Sequence, residues 1–401
     1  MRLRYKAATS EGKIISGFID AKEILDAANY LRSKELLPIK VEKISTNPID
    51  HFIASFNKVK NQDLVLFTRQ LSSMLNSGLT LMKGLEILRE QVQNKAMAEV
   101  VGGIITDIEG GKNLSSAISK YPDVFSPIYI SLVRAGESSG LLDKVLLRLA
   151  DNLEKQSKLK STIKSALTYP AIVVILMGIV MFVMMIFVIP QLSVLYKNLN
   201  LELPLPTKII VGISEVTGTF WPIIIIGFGI AYYFFLKWKK TEQGESIIDT
   251  LVLKLPVFGK LIKESILTEF SRTFGLLVGT GTLVVDSLMQ TADTAGNVHY
   301  RTAIKGLSKQ VEKGIPLGEA MSGNPLFPSM LIQMVKVGEQ TGKVDETLVK
   351  ASEYYEREVN QTVKTLTTAM EPFIMVVLGI GVAFLIISVI TPIYSLISNI
   401  Q

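Results

Sequence analysis

The sequence contains no cysteine and only two histidines among its 401 residues. A chain without cysteine forms no disulfide, has no thiol nucleophile and offers no cysteine ligand to a metal. His51 and His299 stand far apart and lack the HExxH spacing of a zinc site, so metal catalysis is not expected. No serine stands in a Gly-x-Ser-x-Gly elbow with a paired histidine. The sequence therefore predicts no catalytic residue, no metal and no cofactor.

Three apolar runs lack Asp, Glu, Lys, Arg and His: 171–189, 220–236 and 373–391. As a helix the first run rises about 28 Å, close to the ~30 Å hydrocarbon core of a bilayer. We predict three transmembrane helices, with a buried helix of a soluble protein as the alternative for the shorter middle run. Ion and proton pathways normally need ionisable groups inside the membrane. Their absence argues against a transporter and against an intramembrane aspartyl protease.

The positive charge of the chain is concentrated beside these runs. Hydrophobic residues make up 48% of the chain and charged residues 19%, with a net charge of +6. No basic arm or patch typical of nucleic-acid binding stands out, so no nucleic-acid partner is expected. Basic residues mark the cytoplasmic ends of spans. They precede the first and third runs and follow the second: Lys155, Lys158, Lys160, Lys164, Lys237, Lys239, Lys240, Lys254, Arg357 and Lys364. We predict a multi-pass protein with its N-terminus inside and its C-terminus outside.

A long internal repeat organises the chain. Residues 133–140 read VRAGESSG and residues 335–342 read VKVGEQTG, and each is followed by a long charged segment, a proline and an apolar run. The match extends on both sides, in the pairs Phe67 and Phe270, Gly78 and Gly281, Gly111 and Gly314, Pro122 and Pro325, and Pro190 and Pro392. A repeat of this length predicts two copies of one helical module.

The periodicity defines the fold class. Leu64, Phe67, Leu71, Met74 and Leu75 form one apolar helical stripe, which is typical of a helix in a bundle. We predict a mainly α, polytopic membrane protein with two repeated cytoplasmic helical bundles, three transmembrane helices and a small N-terminal α/β unit. The domains in chain order are 1–46 (α/β unit), 47–60 (linker), 61–169 (first bundle), 170–190 (first span), 191–219 (outward-facing loop), 220–236 (second span), 237–372 (connector and second bundle), 373–391 (third span) and 392–401 (outward-facing tail).

The Gly-Glu-x-x-Gly motif occurs once in each repeat. Residues 338–343 have one residue too few between the glycines for a phosphate loop and lack its Ser or Thr, so nucleotide binding is not expected. The glycines favour the end of one helix and the start of the next, and the glutamate favours a role in capping backbone amides. A partner contact or an ion site is the alternative. The residues concerned are Gly136, Glu137, Gly140, Gly338, Glu339 and Gly342.

A second pair of candidate residues precedes the first and third apolar runs: Tyr169-Pro170 and Glu371-Pro372. Proline suits the first turn of a helix, and a glutamate there favours the positive end of the helix dipole. We therefore expect a membrane helix to begin at each proline. The alternative for Glu371 is a contact charge at the inner membrane surface.

Together, the doubled bundle, the Gly-Glu-x-x-Gly pair, the Tyr-Pro and Glu-Pro sequences and the three runs resemble the type II secretion system protein F family. The opening segment adds to this, with Tyr5, Ala7, Gly12, Gly17 and the Leu37-Pro38 pair. The resemblance covers nearly the whole chain. That family includes the inner-membrane platform proteins of type IV pilus assembly.

The resemblance implies a non-enzymatic platform in the bacterial inner membrane. It implies a cytoplasmic hexameric assembly ATPase as the energy source, pilin or pseudopilin transmembrane helices as cargo, other inner-membrane machine subunits as neighbours, and a homo-oligomer. Pilus assembly, protein secretion and DNA uptake stay open as the process served. The alternatives from other classes are a membrane transporter or channel subunit and a membrane-tethered signalling adaptor.

Overall fold

The computed structural model describes residues 2–8, 14–20, 24–33, 36–43, 58–191, 194 and 205–400. Most of the predicted linker, with His51, and the part of the predicted outward loop up to residue 204 lie outside these ranges. At the N-terminus are β1 (Arg2–Ala8), β2 (Ile14–Asp20), α1 (Ile24–Ser33) and β3 (Leu37–Lys43).

The three strands form one antiparallel sheet in the order β2-β1-β3. Arg2 pairs with Asp20 and Ala8 with Ile14, as in a hairpin, and β3 adds to the other edge of β1. Helix α1 turns Ala27 and Leu31 inward, where both are fully or almost fully buried. Such a small unit buries little surface, which limits its stability as a separate unit.

Five helices follow as the first part of lobe 1, which is defined here as residues 61–169. They are α2 (Asn61–Asn76), α3 (Leu81–Gln91), α4 (Lys95–Glu109), α5 (Leu114–Ile118) and α6 (Pro127–Ser139), and a long helix α7 (Leu142–Val183) completes the lobe. Polar side chains cap the helix starts: the Thr80, Asn94 and Ser126 oxygens accept from backbone N–H groups of the first turn. Left-handed Gly78 and Gly111 follow two of the helix ends, where a side chain would be strained.

Lobe 2, defined as residues 237–372, repeats this arrangement. After α8 (Leu205–Lys239) come α9 (Glu242–Lys254), α10 (Phe258–Gly279), α11 (Val284–Thr294), α12 (Val298–Glu312), α13 (Leu317–Ser322), α14 (Ser329–Thr341) and α15 (Val344–Ile400). Gly281 and Gly314 take the same left-handed conformation as their counterparts in lobe 1. The predicted repeat is therefore present in the backbone itself.

Each lobe has its own apolar core. In lobe 1 it is built around Phe67, Leu71, Leu85, Ile104 and Phe125, and in lobe 2 around the residues Phe270, Phe274, Leu288, Ile304 and Phe327. Leu277 of α10 belongs to the lobe 1 core, so the two lobes are packed together. A third cluster, Leu159, Leu261, Val359, Val363 and Leu366, joins α7, α10 and α15 below the lobes.

The prediction that membrane helices begin at Pro170 and Pro372 is wrong. Pro170 lies inside α7, and α15 runs without a break through Pro372 and through Pro392 to Ile400. Each lobe is thus joined to its apolar run by one continuous helix, and the predicted tail 392–401 is helical up to Ile400. Proline costs a helix one hydrogen bond and a clash with the preceding turn, and a long helix packed against neighbours accommodates this.

A π-helical segment, Met184–Val188, lies just before Pro190. Such a segment relieves the clash of a proline ring with the preceding turn and leaves backbone carbonyls without their usual partners. The Ser214 hydroxyl of α8 donates to one of these, the Met185 carbonyl. This bond and the packing of Val211 on Ile189 hold the start of α8 against the end of α7.

The helices α7 and α15 run parallel. Lys155 contacts Glu353, then Leu159 packs in one cluster with Val359, and then Met177 lies against Gly381. The residue numbers of α7 and α15 increase in the same direction along the contact, so the two helices run parallel. Because a lobe stands at the N-terminal end of each helix, both lobes lie at the same end of the helix pair.

The apolar halves of these helices are exposed. Within the described residues, two stretches are long and apolar enough to cross a membrane, Leu142–Gln191 and Val344–Ala383. Only 6% and 17% of their most apolar windows is buried inside the protein. Exposed apolar surface of this extent is typical of lipid contact.

Helix α8 contains the middle apolar run. It begins at Leu205, inside the predicted loop 191–219, so the second half of that loop is helical. Its side chains from Phe228 onward are exposed, including Phe228 at 76% and Tyr233 at 64%. Helix α8 leads the chain from the C-terminal end of α7 back to α9, which belongs to lobe 2.

Candidate functional site: the duplicated corner and the contact between the lobes

The Gly-Glu-x-x-Gly motif forms the corner between the last short helix and the long helix of each lobe. Gly140 and Gly342 end α6 and α14 with φ of 69° and 70°, in the left-handed region. The next amide donates back to the first glycine of the motif: Leu141 N to Gly136 O at 2.9 Å, and Lys343 N to Gly338 O at 2.8 Å. This is the hydrogen bond of a Schellman helix end, for which glycine is favoured.

The first glycine of each corner allows the long helix to pack closely. A Cβ on Gly136 would lie 3.1 Å from Val145 Cβ and 3.2 Å from Leu142 Cα. A Cβ on Gly338 would lie 2.3 Å from Thr347 Oγ1 and 2.9 Å from Val344 Cα. A larger residue would push the long helix away from the lobe, because backbone atoms cannot move aside as a flexible side chain can.

The glutamate of each corner caps a different helix. The Glu137 carboxylate accepts from the Leu114 and Ser115 amides, which begin α5. The Glu339 carboxylate accepts from Leu317 N at 2.6 Å and Gly318 N at 2.8 Å, which begin α13. These amides have no partner within their own helix, and a carboxylate at that end satisfies them and the helix dipole.

The corner is therefore a helix junction in both lobes. Ser138, between the two glycines of lobe 1, donates its hydroxyl to the Arg134 carbonyl of its own helix at 2.9 Å. The described residues contain no group of three or more His, Asp and Glu side chains that could hold a metal ion. Glycine, glutamate and glycine thus serve close packing, helix capping and chain reversal in both lobes.

The structure does not bring the corners and the proline pairs together. About 30 helical residues separate Gly140 from Pro170, which is roughly 45 Å along α7. Pro170 is buried, whereas Tyr169 is 61% exposed. Glu371 and Pro372 are exposed, and Glu371 makes no ion pair with any described residue. These four residues lie where the lobes give way to the apolar halves of the helices.

A duplicated ion pair joins α2 to α7 in lobe 1 and α10 to α15 in lobe 2. In lobe 1, Arg69 donates to Glu154 and to Asp151, each at 2.5 Å. The hydrogen bond from Arg69 lowers the pKa of Glu154 below its usual range. Its arginine is about one quarter exposed, so solvent screens the pair.

The counterpart in lobe 2 is buried. Arg272 donates to Glu356 at 2.7 Å, and only 7% of the arginine side chain is exposed. Burial lowers the pKa of Arg272, and the carboxylates of Glu356 and Glu269 act against this shift. Its Nε and Nη1 atoms have no hydrogen-bond partner among the described residues. The sequence aligns Arg69 with Arg272, but only the packing shows that one of the two is deeply buried.

Three polar contacts connect α7 to lobe 2. Arg148 donates to the Gly279 carbonyl at 2.8 Å, and Lys155 lies 3.6 Å from Glu353. Gln156 donates to the Glu269 carboxylate at 3.2 Å. Periodicity alone does not find these residues, because they lie on the polar side of α7. The only indication in the sequence is the repeat itself. Two copies of one lobe that pack together place the polar side of one long helix against the other lobe.

A cavity of about 510 Å³ lies between the lobes at this contact. Four basic and four acidic side chains line it: Arg148, Lys155, Arg272, Lys350, Asp151, Asp345, Glu346 and Glu353. Opposite charges facing each other across a partly open gap favour one relative position of the lobes. The cavity therefore marks the contact between the lobes, and its lining does not favour a ligand of either charge.

Comparison with known proteins gives the same division of the chain. The model of one family, type II secretion system (T2SS) protein F, matches residues 67–190 and again residues 270–392. The chain belongs to the type II secretion system protein F family. Both matches include a corner, an ion-pair arginine and a proline-containing long helix, so the family pattern coincides with the structural repeat.

Individual relatives cover nearly the full length. A type IV pilus assembly protein PilC from Thermus thermophilus is 35% identical over 99% of this chain and 98% of its own. PilC from Pseudomonas aeruginosa is 35% identical over 92% of this chain and 97% of its own. A type II secretion system protein F from Xanthomonas campestris is 28% identical over 98% of both chains. The family thus includes relatives from both kinds of machine at similar coverage.

Proposed function

We propose that this chain is the inner-membrane platform of a type IV pilus or type II secretion machine. Its family and its full-length relatives are named for these two machines. The observation that carries the proposal is the parallel course of α7 and α15, which puts two copies of one lobe at the same end of the apolar helices. A protein built this way offers paired lobes on one side of a membrane and apolar helix surface within it.

The proposed topology has three crossings. Two parallel spans in one chain require a return crossing between them, and α8 has the length and the exposed apolar side chains for it. Basic residues lie at the lobe end of all three helices, as the positive-inside rule requires of a cytoplasmic end. The lobes and the N-terminal unit are then cytoplasmic, and residue 401 is outside.

The proposed domains are those predicted from the sequence, with two changes at the helix boundaries. The second span belongs to a helix that starts at Leu205, and the third continues beyond Pro392. The N-terminal α/β unit shows exposed apolar residues, including Leu25 at 71% and Leu37 at 65%. We assign it a docking role toward another part of the machine, because exposed apolar groups of this kind favour a partner.

The proposed partners follow from the two environments of the chain. The cytoplasmic lobes are the parts that a cytoplasmic assembly ATPase can hold and move. The exposed apolar faces of the spans suit the transmembrane helix of a pilin or pseudopilin, which is itself apolar. The six corner residues are assigned a structural role in each lobe, and Tyr169 and Glu371 mark different contacts at the inner membrane surface.

Deletion and complementation in the source bacterium test the function. We expect loss of surface filaments or of secreted proteins while the other machine subunits remain present, and recovery with the intact gene. A matched pair of variants sharpens the test: Gly338→Val, which disrupts a corner, and Gly306→Ala, which lies in the middle of α12 with no atom within 4 Å of an added Cβ. The first should fail to restore assembly and the second should restore it. Normal filaments and secretion in the deletion strain would contradict the proposal.

Single cysteines test the topology, since the chain has none of its own. Ser138→Cys and Thr341→Cys place an exposed thiol on each lobe. Asn399→Cys places a thiol near the C-terminus. In intact spheroplasts a membrane-impermeant maleimide should label only the last of these. After permeabilisation all three should react. Labelling of either lobe from outside would overturn the proposed orientation.

A further inference from the structure

Helix α9 (Glu242–Lys254) carries an exposed apolar stripe. Ile247, Leu251 and Leu255, the last at the helix end, follow one another at intervals of four residues, so they lie along one side. They are 50%, 60% and 50% exposed, and Val257 beyond them is 44% exposed. The opposite side packs on lobe 2, where Leu253 contacts the core. A surface helix of a soluble domain turns its apolar side inward, whereas α9 also turns large apolar side chains outward.

The charged residues of α9 are divided between the same two sides. Glu245 pairs with an arginine of α12 at 3.0 Å, and Asp249 accepts from a backbone amide of α12 at 2.7 Å. Of the acidic residues of α9 only Glu242, in the first turn, is exposed, whereas Lys254 is exposed beside the apolar stripe. Three more exposed lysines end α8 just before α9: Lys237, Lys239 and Lys240. Apolar and positive groups together are typical of a helix on an anionic membrane surface.

A sharp corner separates α9 from the end of α8. Thr241 between them is extended, with φ of −79° and ψ of 151°, and its hydroxyl donates to the Trp238 carbonyl at 2.7 Å. A Cβ on Gly244 would lie 2.1 Å from the same carbonyl oxygen. In a straight helix residues six apart are separated by about 9 Å along the axis. The chain therefore turns away from the direction of α8 as α9 begins.

A second corner separates α9 from α10. Phe258 N donates to the Pro256 carbonyl at 2.7 Å, and Val257 has φ of 63° and ψ of −52°, as in a γ-turn. A Cβ on Gly259 would lie 2.3 Å from the Leu253 carbonyl oxygen, so α10 begins close against the end of α9. Helix α9 is thus a separate segment between two corners.

Both ends of α9 lie at the level where the apolar halves of the long helices begin. The N-terminal end follows the basic end of α8. The C-terminal end leads to Phe258, which packs in one cluster with Leu167 and Met370. These two residues lie three and two positions before Pro170 and Pro372, where the lobes give way to the apolar halves. A helix with both ends at one level of the membrane runs along its surface.

We propose that α9 lies in the plane of the inner leaflet, with Ile247, Leu251 and Leu255 at the boundary between headgroups and acyl chains and Lys254 on the headgroups of anionic phospholipids. The inference rests on the three-crossing topology proposed above, which brings the end of α8 to the inner surface. Because Glu245 and Asp249 join α9 to α12, the lipid contact holds lobe 2 at a fixed distance from the bilayer.

Quenching by lipids tests this in the full-length protein, reconstituted alone in vesicles of phosphatidylcholine with a minor share of phosphatidylglycerol. A nitrobenzoxadiazole probe on Leu251→Cys should be quenched by phospholipids that carry a doxyl group on the acyl chain near the headgroup. A stripe that serves another protein would leave the probe unquenched, because these vesicles contain only this chain, and that result would overturn the proposal.

The matched control is Leu283→Cys, which is 72% exposed in the same lobe. It lies beyond the far end of α10, whose 22 residues rise about 33 Å. Helix α10 leads away from the membrane, because it runs antiparallel to α15: Glu264 accepts from Thr362, and Arg272 donates to Glu356. The probe on Leu283→Cys should be quenched several-fold less. Both leucines are exposed, so neither substitution removes core packing.

A third variant separates this inference from the topology. Ile230→Cys lies within the second apolar run and is 53% exposed, so its probe should be quenched if α8 crosses the bilayer. Quenching at Ile230→Cys, with Leu251→Cys no more quenched than Leu283→Cys, would overturn the inference and leave the topology intact. Absence of quenching at Ile230→Cys would overturn the topology itself.

A change of charge tests the role of the anionic headgroups. Lys240→Glu with Lys254→Glu should reduce the quenching at Leu251→Cys, as should vesicles of phosphatidylcholine alone. The matched control is Lys313→Glu, an exposed lysine at the other end of α12 from α9, which should leave the quenching unchanged. Equal quenching in both kinds of vesicle and in the doubly substituted protein would refute the contact with anionic headgroups.

Discussion

Replacement of Glu339 by alanine tests the role of the corner most directly. Its carboxylate binds the Leu317 and Gly318 amides at 2.6 and 2.8 Å, and both donors are buried. A hydrogen bond to a charged group contributes about 1.5–3 kcal/mol. Glu339 itself is partly exposed, so the lower end of this range applies to each bond. The substitution should therefore cost about 3 kcal/mol at the start of α13, or roughly 100-fold in the local opening equilibrium.

Amide hydrogen exchange measures this opening in the full-length protein. The first amides of a helix have no partner within the helix, so the exchange protection of Leu317 and Gly318 depends on the carboxylate alone. Their exchange should be accelerated roughly 100-fold in Glu339→Ala and less in Glu339→Gln, which retains one acceptor oxygen. The counterparts in lobe 1, Leu114 and Ser115, serve as the internal control and should be unchanged.

The reciprocal variant completes the design. Glu137→Ala should accelerate exchange at Leu114 and Ser115 and leave Leu317 and Gly318 as they are. The capping role of the carboxylate is refuted if exchange at the amides facing Glu339 changes less than about 3-fold, since a hydrogen bond to a charged group contributes more than that. It is also refuted if either substitution affects both lobes equally, which would indicate global unfolding.

Three further predictions compare equivalent or matched positions. Glu356→Gln should cost about 3–5 kcal/mol of unfolding free energy, because it leaves the buried Arg272 unpaired. Glu154→Gln at the more exposed pair should cost about 1 kcal/mol or less. Urea titration of each variant in detergent measures both costs. Gly342→Ala should lower the thermal midpoint of unfolding, since an alanine in the left-handed conformation costs about 1–2 kcal/mol. Gly306→Ala should raise that midpoint, because alanine is favoured over glycine by up to about 1 kcal/mol within a helix. The hydrogen bond from Arg69 lowers the pKa of Glu154 in the folded protein. The stability that this pair contributes is therefore complete above the ordinary glutamate pKa of about 4.5 and is lost as the pH falls below that value. Arg69→Met should remove this part of the acid sensitivity of the protein.

The repeat and the class of the protein were determined by the sequence. Paired glycines, a paired glutamate and uncharged apolar runs are local features, and each reflects a requirement of one turn or one span. Gly78, Gly140 and Gly342 take the left-handed conformation, because only glycine adopts it without strain. The helix limits of the two lobes also correspond, since the left-handed glycines and the helix cap at Asn94 and Asn297 occur in both copies.

The continuity of the long helices was decided by the tertiary structure. A proline by itself favours the start of a helix, and this local preference led to the wrong prediction at Pro170 and Pro372. Packing of α7, α10 and α15 around Leu159 and Val359 stabilises one continuous helix beyond what the proline costs. Local helix propensity does not include this stabilisation by packing, because the packing residues are distant in the chain.

The contact between the lobes was likewise beyond the sequence alone. Arg148, Lys155 and Gln156 read as an ordinary solvated face, and only the packing of α7 on α10 and α15 shows that they meet lobe 2. The deep burial of Arg272, in contrast to Arg69, which is about one quarter exposed, has the same origin. Similar local sequence gives each lobe its fold. The surroundings of the two lobes differ, because the contact through α7 is made only once in the chain, and they determine how deeply corresponding side chains are buried.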